Sequence, residues 1–381
     1  MKDVRHVAFC GGGSGGHLTP AIAVIEALQE LHGDLQVSFL TSGRAVDRQL
    51  LDSWTARPAG SVVAQLPLVS SQRRLPYAAR LAAAALQCRR VFQNNRPDLI
   101  VGLGGFASLP GVAVGRWLNI PIALFEPNCV PGRANRQLAR WAHITFAGWP
   151  MAAAYRERWR SPLLETGVPV RRRFVTSPES ICDSASAPSL LVLGGSLGAR
   201  SLNDLILQAV VHQRCLPPHW KIVHQTGPEE FSRVRQAYQQ AAIEADVYPF
   251  IHRMHEELQQ ASLVVSRAGA VTLAEIAAVG RAALVVPLGS SADDHQLRNA
   301  EFFAAAGAAE MVRPSNQATT SAPTGAAPFT SMLHHLCVAD QQRQQMAQHA
   351  AALQQPDAAV RMATELVRML DAVSEQIHAS G

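Results

Sequence analysis

Apolar positions along this chain fall into short unbroken runs separated by longer stretches of helical period, and the two kinds alternate almost throughout. Unbroken Val, Leu and Ile runs suit strands buried on both faces, while apolar residues at i, i+3 and i+4 give the helices that cover them. Val4 to Phe9 predicts the first strand and Val37 to Thr41 the second, followed by Ser61 to Leu66, Asp98 to Leu103 and Ile122 to Phe125. Helices are expected from Pro20, capped by Thr19, to about Leu31 with Gly33 as the stop, then near Arg73 to Asn94, Ser108 to Leu118 and Arg133 to Ala142. The alternation restarts at Ser189 to Leu193, and Leu263 to Val265 is a further strand. The pattern predicts an α/β chain of two Rossmann-like, doubly wound parallel-sheet domains. Their boundary is expected near Ser161 to Glu165, giving a first domain over 1–163, a second over 164–357, and a last helix in 358–381 packing back on the first. Thr176 to Ser189 and Pro314 to Pro328, rich in Ser, Pro, Ala and Thr, read as surface loops.

Glycine marks the strand ends. Cys10-Gly11-Gly12-Gly13-Ser14-Gly15-Gly16-His17 joins the first strand to a helix, and Gly102-Leu103-Gly104-Gly105-Phe106-Ala107-Ser108 and Gly194-Gly195-Ser196-Leu197-Gly198-Ala199 repeat the device. Each turn alone is explained equally well by close helix packing or by a phosphate held on exposed N–H groups at a helix start. Three at strand C-termini favour ligands, because open parallel sheets bind there, and two facing domains would enclose a cleft lined by these loops. Gly11, Gly13 and Gly16 also satisfy the dinucleotide fingerprint, but the second strand ends in Ser42-Gly43-Arg44 without the acid that holds a ribose. Arg44 would meet a 2′-phosphate, so NADP stays open on this test. His17 is either a helix-start histidine bonded to backbone or a titratable group set among phosphates.

The second half carries Ser266-Arg267-Ala268-Gly269-Ala270-Val271-Thr272-Leu273-Ala274-Glu275 and, later, Asp294-His295-Gln296-Leu297-Arg298-Asn299. Gly269 to Thr272 should open a helix with Glu275 in its first turn, where it either complements the dipole or grips vicinal ribose hydroxyls. Gln296 and Asn299, three apart, would share a helix face, either solvated or bonding sugar hydroxyls. Asp293-Asp294 is expected to cap that helix.

Composition narrows the field. The 381 residues are 48% hydrophobic and only 6% aromatic, and the net charge of +5 favours anionic partners without the basic–aromatic interleaving of an RNA-binding sheet, so no nucleic acid is expected. Six scattered cysteines without a CxxC pair suggest neither zinc nor disulfides. No leader and no apolar run of about 18 residues is visible, so a cytoplasmic protein is expected, touching a membrane from its surface at most.

Taken together, GGGSGGH, GLGGFAS, EPN, TGVPVR, GGSLGAR, SRAGAVTLAEIAAVGRAALVVPL and DDHQLRNA resemble, in order and spacing over nearly the whole chain, the GT-B glycosyltransferases of family 28. Ser14 stands where the family usually has threonine, and Phe125-Glu126-Pro127-Asn128 where His-Glu-Gln-Asn is usual, so no role of that histidine or glutamine carries over. The resemblance implies inverting transfer of N-acetylglucosamine from UDP-N-acetylglucosamine to the muramyl O4 of lipid I, giving lipid II for peptidoglycan. It implies that Glu275 holds the ribose, that Ala270, Val271, Thr272, Leu273, Ser196 and Arg171 surround the donor diphosphate, and that Ile251 belongs to the same nucleotide site. His295, Gln296 and Asn299 would face the sugar, with Ser14, Gly15, Gly16, His17 and Asn128 reaching it from the other domain. Gly12, Gly13, Ser14, Gly15, Gly104 and Gly105 would cradle the acceptor's diphosphate.

Inversion needs a base for the muramyl O4 proton, with His17 the leading candidate and Glu126 the second. Helix N-termini and Arg171 would meet the leaving-group charge, so no metal or other cofactor is required. Arg73, Arg74 and Leu75, with Tyr77, Arg80, Arg89, Arg90 and Trp117, would form a basic and apolar patch for anionic lipid at the cytoplasmic face of the inner membrane, or else an ordinary amphipathic helix with arginines in water. Wall-synthesis and division proteins are the further partners expected. The rival readings are another GT-B UDP-sugar transferase, a UDP-sugar epimerase, an NAD(P) oxidoreductase and a non-catalytic sugar-nucleotide sensor or scaffold.

Overall fold

A strand with neighbours on both sides and helices over both faces has no position for an exposed polar residue, and β1 (Arg5–Cys10) shows it: every residue after Arg5 is buried. The structure, a computed structural model, describes residues 4–13, 15–68, 76–175, 187–195, 198–288, 294–313 and 326–379. The first unit continues with α1 (Gly15–His32), β2 (Leu35–Thr41), α2 (Ala45–Asp52), β3 (Val62–Gln65), α3 (Tyr77–Asn94), β4 (Leu99–Gly102), α4 (Ser108–Trp117), β5 (Ile122–Glu126), α5 (Arg133–Leu138), β6 (Ile144–Ala147), α6 (Ala153–Arg156) and β7 (Leu163–Glu165). Its seven strands are all parallel in the order β3-β2-β1-β4-β5-β6-β7.

The second unit contains β8 (Ser189–Leu193), α7 (Arg200–Ile206), β9 (Lys221–Gln225), α8 (Phe231–Gln240), β10 (Asp246–Tyr248), α9 (Met254–Gln260), β11 (Leu263–Ser266), α10 (Ala270–Val279), β12 (Ala283–Val285), α11 (His295–Ala305), β13 (Ala309–Met311), α12 (Ala326–Val338) and α13 (Asp340–Ala352). Six parallel strands run β10-β9-β8-β11-β12-β13. Each sheet therefore reverses its order beside its own first strand, between β1 and β4 and between β8 and β11. Loops leaving those strands diverge to opposite faces and open a crevice at the carboxyl edge. Each crevice is thus flanked by a glycine turn, after β1 and β4 in the first unit and after β8 in the second.

The units divide at 171/172 and 354/355, with 355–381 returning to the first. The expected boundary at 163/164 cut too early, because β7 pairs with β6 and so belongs to the first sheet. The last helix, α14 (Ala358–Ala379), packs along α1, and Arg361 Nη2 donates to Glu165 O at 2.8 Å. Two other elements differ from expectation. α1 begins at Gly15, so Pro20 is its sixth residue, where the ring removes the N–H that would bond Gly16 O, and His17 lies in the helix's first turn. The helix expected to reach Ala142 is α5 followed by a 3-10 turn over Ala139–Trp141. Of the two expected surface loops, 176–186 and 314–325 lie outside the described residues. Among the described residues, no helix is long and apolar enough to cross a membrane.

Candidate active site

In the first unit β1 and β4 are neighbours, so their glycine turns lie side by side: Leu103 N donates to Cys10 O at 2.8 Å, and a Cβ on Gly11 would stand 2.6 Å from Leu103 Cβ. His17 joins the two turns. Its Nδ1 lies 2.9 Å from Leu103 O, which only accepts, so Nδ1 carries the hydrogen and the lone pair of the neutral ring is on Nε2. That Nε2 faces Gly105, where φ is +69° and a Cβ would stand 3.2 Å away. The backbone-bonded reading of His17 is thus observed, and that bond selects the neutral tautomer whose lone pair is on Nε2.

The first turn is less free to bind phosphate than its glycines suggest. Gly11 N donates to Leu40 O at 3.0 Å, and Gly13 N donates to both oxygens of Asp47, at 2.8 and 3.0 Å. Asp47 is 1% exposed and also accepts from Ser42 Oγ at 2.7 Å. A side chain on Gly12, at φ +145°, would bring Cβ to 2.8 Å from Asp47 Oδ2. The expectation that Gly13 cradles a diphosphate through its amide is corrected accordingly, because a buried carboxylate already holds that N–H. Ser14 lies outside the described residues.

Glu126 does not fit the role of a second base. Its Oε1 accepts from Asn128 N and Nδ2, both at 3.0 Å, and its Oε2 from Gly132 N and Asn135 Nδ2, both at 2.9 Å. Four donors fill the lone pairs of a carboxylate that is 1% exposed, so Glu126 organises the segment 127–132 rather than receiving a proton. Asn128 is held by the same carboxylate. Arg171 is the last residue of the first unit before the division at 171/172.

In the second unit Gly269 stands at the N-cap of α10 with β-region angles, so the helix N-terminus is formed by Ala270, Val271 and Thr272. Glu275 is the sixth residue of α10 and half-buried, not in the first turn as expected, so the reading as a capping partner falls. Asn299 is fully buried and its Nδ2 donates to Ala268 O at 3.2 Å, which separates it from the half-buried Gln296. The shared sugar-facing pair is thus corrected: Asn299 ties α11 to the turn before α10, and Gln296 Oε1 accepts from Leu288 N at 3.0 Å. His295 opens α11, and Asp294 takes the N-cap position at φ +49° without a side-chain cap bond. Asp293 and Ser196 lie outside the described residues.

Two residues that sequence reasoning missed bind this loop system together. Gln225, at the end of β9 and 3% exposed, donates from Nε2 to Gly195 O at 3.1 Å and accepts from Ile251 N at 2.8 Å, so one amide fixes both the glycine turn and the Ile251 loop. Arg267 Nη1 donates to Val286 O and Pro287 O, and Nη2 to Ser201 Oγ; burial depresses the guanidinium's pKa. Gln225 closes β9 and Arg267 follows β11, so the signal each offered was a polar residue at the carboxyl end of a strand. Beneath them His224 is enclosed, with Nε2 donating to Asn203 Oδ1 and Nδ1 accepting from Tyr238 OH, each at 3.1 Å. Burial, with Arg233 nearby, pulls its pKa down to about 3.

On the first unit's surface Trp117 is 62% exposed with the Arg89 guanidinium 4.6 Å from its ring centroid, and Tyr77 and Leu86 are also exposed. Arg73, Arg74 and Leu75 lie outside the described residues.

Residues 7–147 match the glycosyltransferase family 28 N-terminal domain, and residues 189–362 the glycosyltransferase family 28 C-terminal domain. The chain is 37% identical over 313 residues to the UDP-N-acetylglucosamine--N-acetylmuramyl-(pentapeptide) pyrophosphoryl-undecaprenol N-acetylglucosamine transferase of Syntrophotalea carbinolica, covering 81% of this chain and 85% of that protein. A protein of the same name from Anaeromyxobacter sp. is 34% identical over 373 residues, 94% of this chain and 93% of the relative. Among solved structures, MurG of Acinetobacter baumannii superposes with a TM-score of 0.72 at 28% identity, covering 96% of this chain and 99% of that one. The UDP-GlcNAc 2-epimerase of Neisseria meningitidis bound to UDP-GlcNAc shares the fold, with a TM-score of 0.69 at 13% identity over 95% and 100% of the two chains. With both of its halves matched in order, the chain belongs to glycosyltransferase family 28.

Proposed function

We propose that this protein transfers N-acetylglucosamine from UDP-N-acetylglucosamine to the muramyl O4 of lipid I, with inversion, giving lipid II for peptidoglycan synthesis. Relatives bearing the name of that transferase, at 34–37% identity over most of the chain, support the substrate pair. The observation that carries the chemistry is His17, whose Nδ1–H bond to Leu103 O presents a proton-accepting Nε2 at the junction of two glycine turns.

The muramyl O4 attacks C1 of the donor sugar as its proton passes to His17 Nε2, and the bond from C1 to the UDP oxygen breaks with its electrons going to the departing diphosphate. Amides at the start of α10 meet that charge without reorganising, aided by the positive end of the helix dipole. Glu275 holds the ribose, Ile251 lies with the uridine, and His295 with Gln296 faces the sugar. Glu126 and Asn299 position rather than touch the reacting groups, through the backbone bonds described above. The surface carrying Trp117, Arg89, Tyr77 and Leu86 rests on anionic lipid at the cytoplasmic face, bringing the site to a membrane-borne acceptor.

The test is to incubate the purified full chain with radiolabelled UDP-N-acetylglucosamine and a short-chain lipid I analogue. A labelled β-linked disaccharide product is expected. No product with any lipid I analogue overturns the reading.

A further inference from the structure

The first unit presents two glycine turns for an anion, yet the amides of Gly11 and Gly13 are already bonded to Leu40 O and Asp47, which sets a buried carboxylate against the first turn. A backbone in that state is a weaker nest for a diphosphate, since two of its amides are engaged and Asp47 repels it. A side-chain cation must offset this.

Arg44 stands at the right place. Its Nη1 donates to Gly13 O at 2.8 Å, so the guanidinium lies at the first turn, and its Cζ lies 6.0 Å from the ring centroid of Phe106, in the second. One side chain thus reaches both turns. Its position is also locally unfavourable. Arg44 is the N-cap of α2, with no side-chain cap bond, where Ser, Thr, Asp or Asn serve best and a cation opposes the helix dipole. A residue that breaks a local preference without a local gain points to function. Asp47, three residues on in the first turn of α2, explains the arrangement: it draws the Gly13 N–H inward, and the same peptide chain turns the Gly13 carbonyl to Arg44.

We propose that Arg44 binds the diphosphate of the lipid-linked acceptor, and that Asp47 holds the first glycine turn in the shape that aims it. This rests on the acceptor side of the function proposed above. Five donors in a planar fork allow Arg44 to keep its bond to Gly13 O while two others meet phosphate oxygens. The acceptor is then selected by a charged side chain, whereas backbone groups and Glu275 serve the donor.

The experiment measures binding of farnesyl diphosphate to the full chain by calorimetry, with farnesol as the control for the lipid tail. Three variants are compared with wild type: Arg44→Ala, Arg44→Gln and Arg44→Lys. Gln keeps a donor for Gly13 O without charge, and Lys keeps charge without the fork. The dissociation constant should rise about 10- to 100-fold in Arg44→Ala and Arg44→Gln, the scale of lost charge-assisted bonds, and less in Arg44→Lys. Farnesol and UDP binding should not change. If Arg44→Ala melts early, Arg44→Gln decides the matter. Farnesyl diphosphate binding as tight in Arg44→Gln as in wild type, or equal in the Gln and Lys variants, overturns the proposal and leaves Arg44 a structural staple. Sugar transfer by the same wild-type preparation separates the two readings. Transfer with Arg44-independent diphosphate binding sinks only this one, whereas Arg44-dependent binding without transfer sinks the transferase and leaves it standing.

Discussion

The glycine turns after β1 and β8 begin from the same backbone device and end as different instruments. After β1 the turn is packed: Gly11 lies against Leu103, Gly12 against the Asp47 carboxylate, and His17 closes it. After β8 the turn is packed at its ends and open at Gly195: a Cβ on Gly194 would stand 3.0 Å from Gln225 O and one on Gly198 2.5 Å from Thr226 O, whereas one on Gly195, at φ +81°, would meet nothing within 4 Å, and the Gly195 carbonyl is held by the uncharged amide of Gln225. Strand-turn-helix geometry alone therefore does not specify a phosphate site. A buried carboxylate, Asp47, holds the first turn and a cation, Arg44, bonds its carbonyl, whereas a neutral amide holds the second.

Replacing His17 by Ala should break the first turn's chemistry alone, with kcat at saturating substrates falling about 10²- to 10⁴-fold in a transfer assay and UDP affinity by calorimetry unchanged. A loss of UDP affinity would erase the distinction between the turns. Acid should strike the second unit through His224, whose pKa in the fold is about 3. Because the folded ring stays neutral while the unfolded ring takes up a proton below about pH 6.5, stability should fall by about 1.4 kcal/mol per pH unit as pH drops from there toward 3. Calorimetric melting of wild type and His224→Asn between pH 7 and 4 reads this limb, which should flatten in the variant. His6 in the first unit, also pulled down by burial, gives a limb of the same sign that the substitution leaves in place. Glu275→Gln should raise the KM for UDP-N-acetylglucosamine about 10- to 100-fold with the acceptor KM unchanged. The smallest effect sharpens the contrast most directly. Gly195→Ala should cost about 1–2 kcal/mol from its left-handed backbone alone, whereas Gly12→Ala should cost more because its methyl also meets Asp47, as paired melting curves would show.

The strands were legible because parallel β-structure writes itself as unbroken apolar runs, and the three turns because glycine is the residue such bends demand. The roles of Glu126 and Asn299 were not legible. Both read as exposed chemistry in the sequence, and only folding brings Gly132 N to one and Ala268 O to the other. Asp47 and Gln225 were missed for the converse reason: a single acid in a mixed helix or an amide at a strand end carries no period, and the glycine turns they hold are 34 and 30 residues away. The boundary near 163 failed because β7 is three residues long and its pairing with β6 leaves no pattern in the chain.

The return of 355–381 to the first unit orders events on the ribosome. The second unit, continuous from 172 to 354, has all its residues in hand while the first still lacks the helix that lies along α1. The half that is translated first is therefore completed last. Until α14 emerges, the face of α1 that it covers lacks that partner, so a released chain ending at 354 should hold a complete second unit tethered to an incomplete first one.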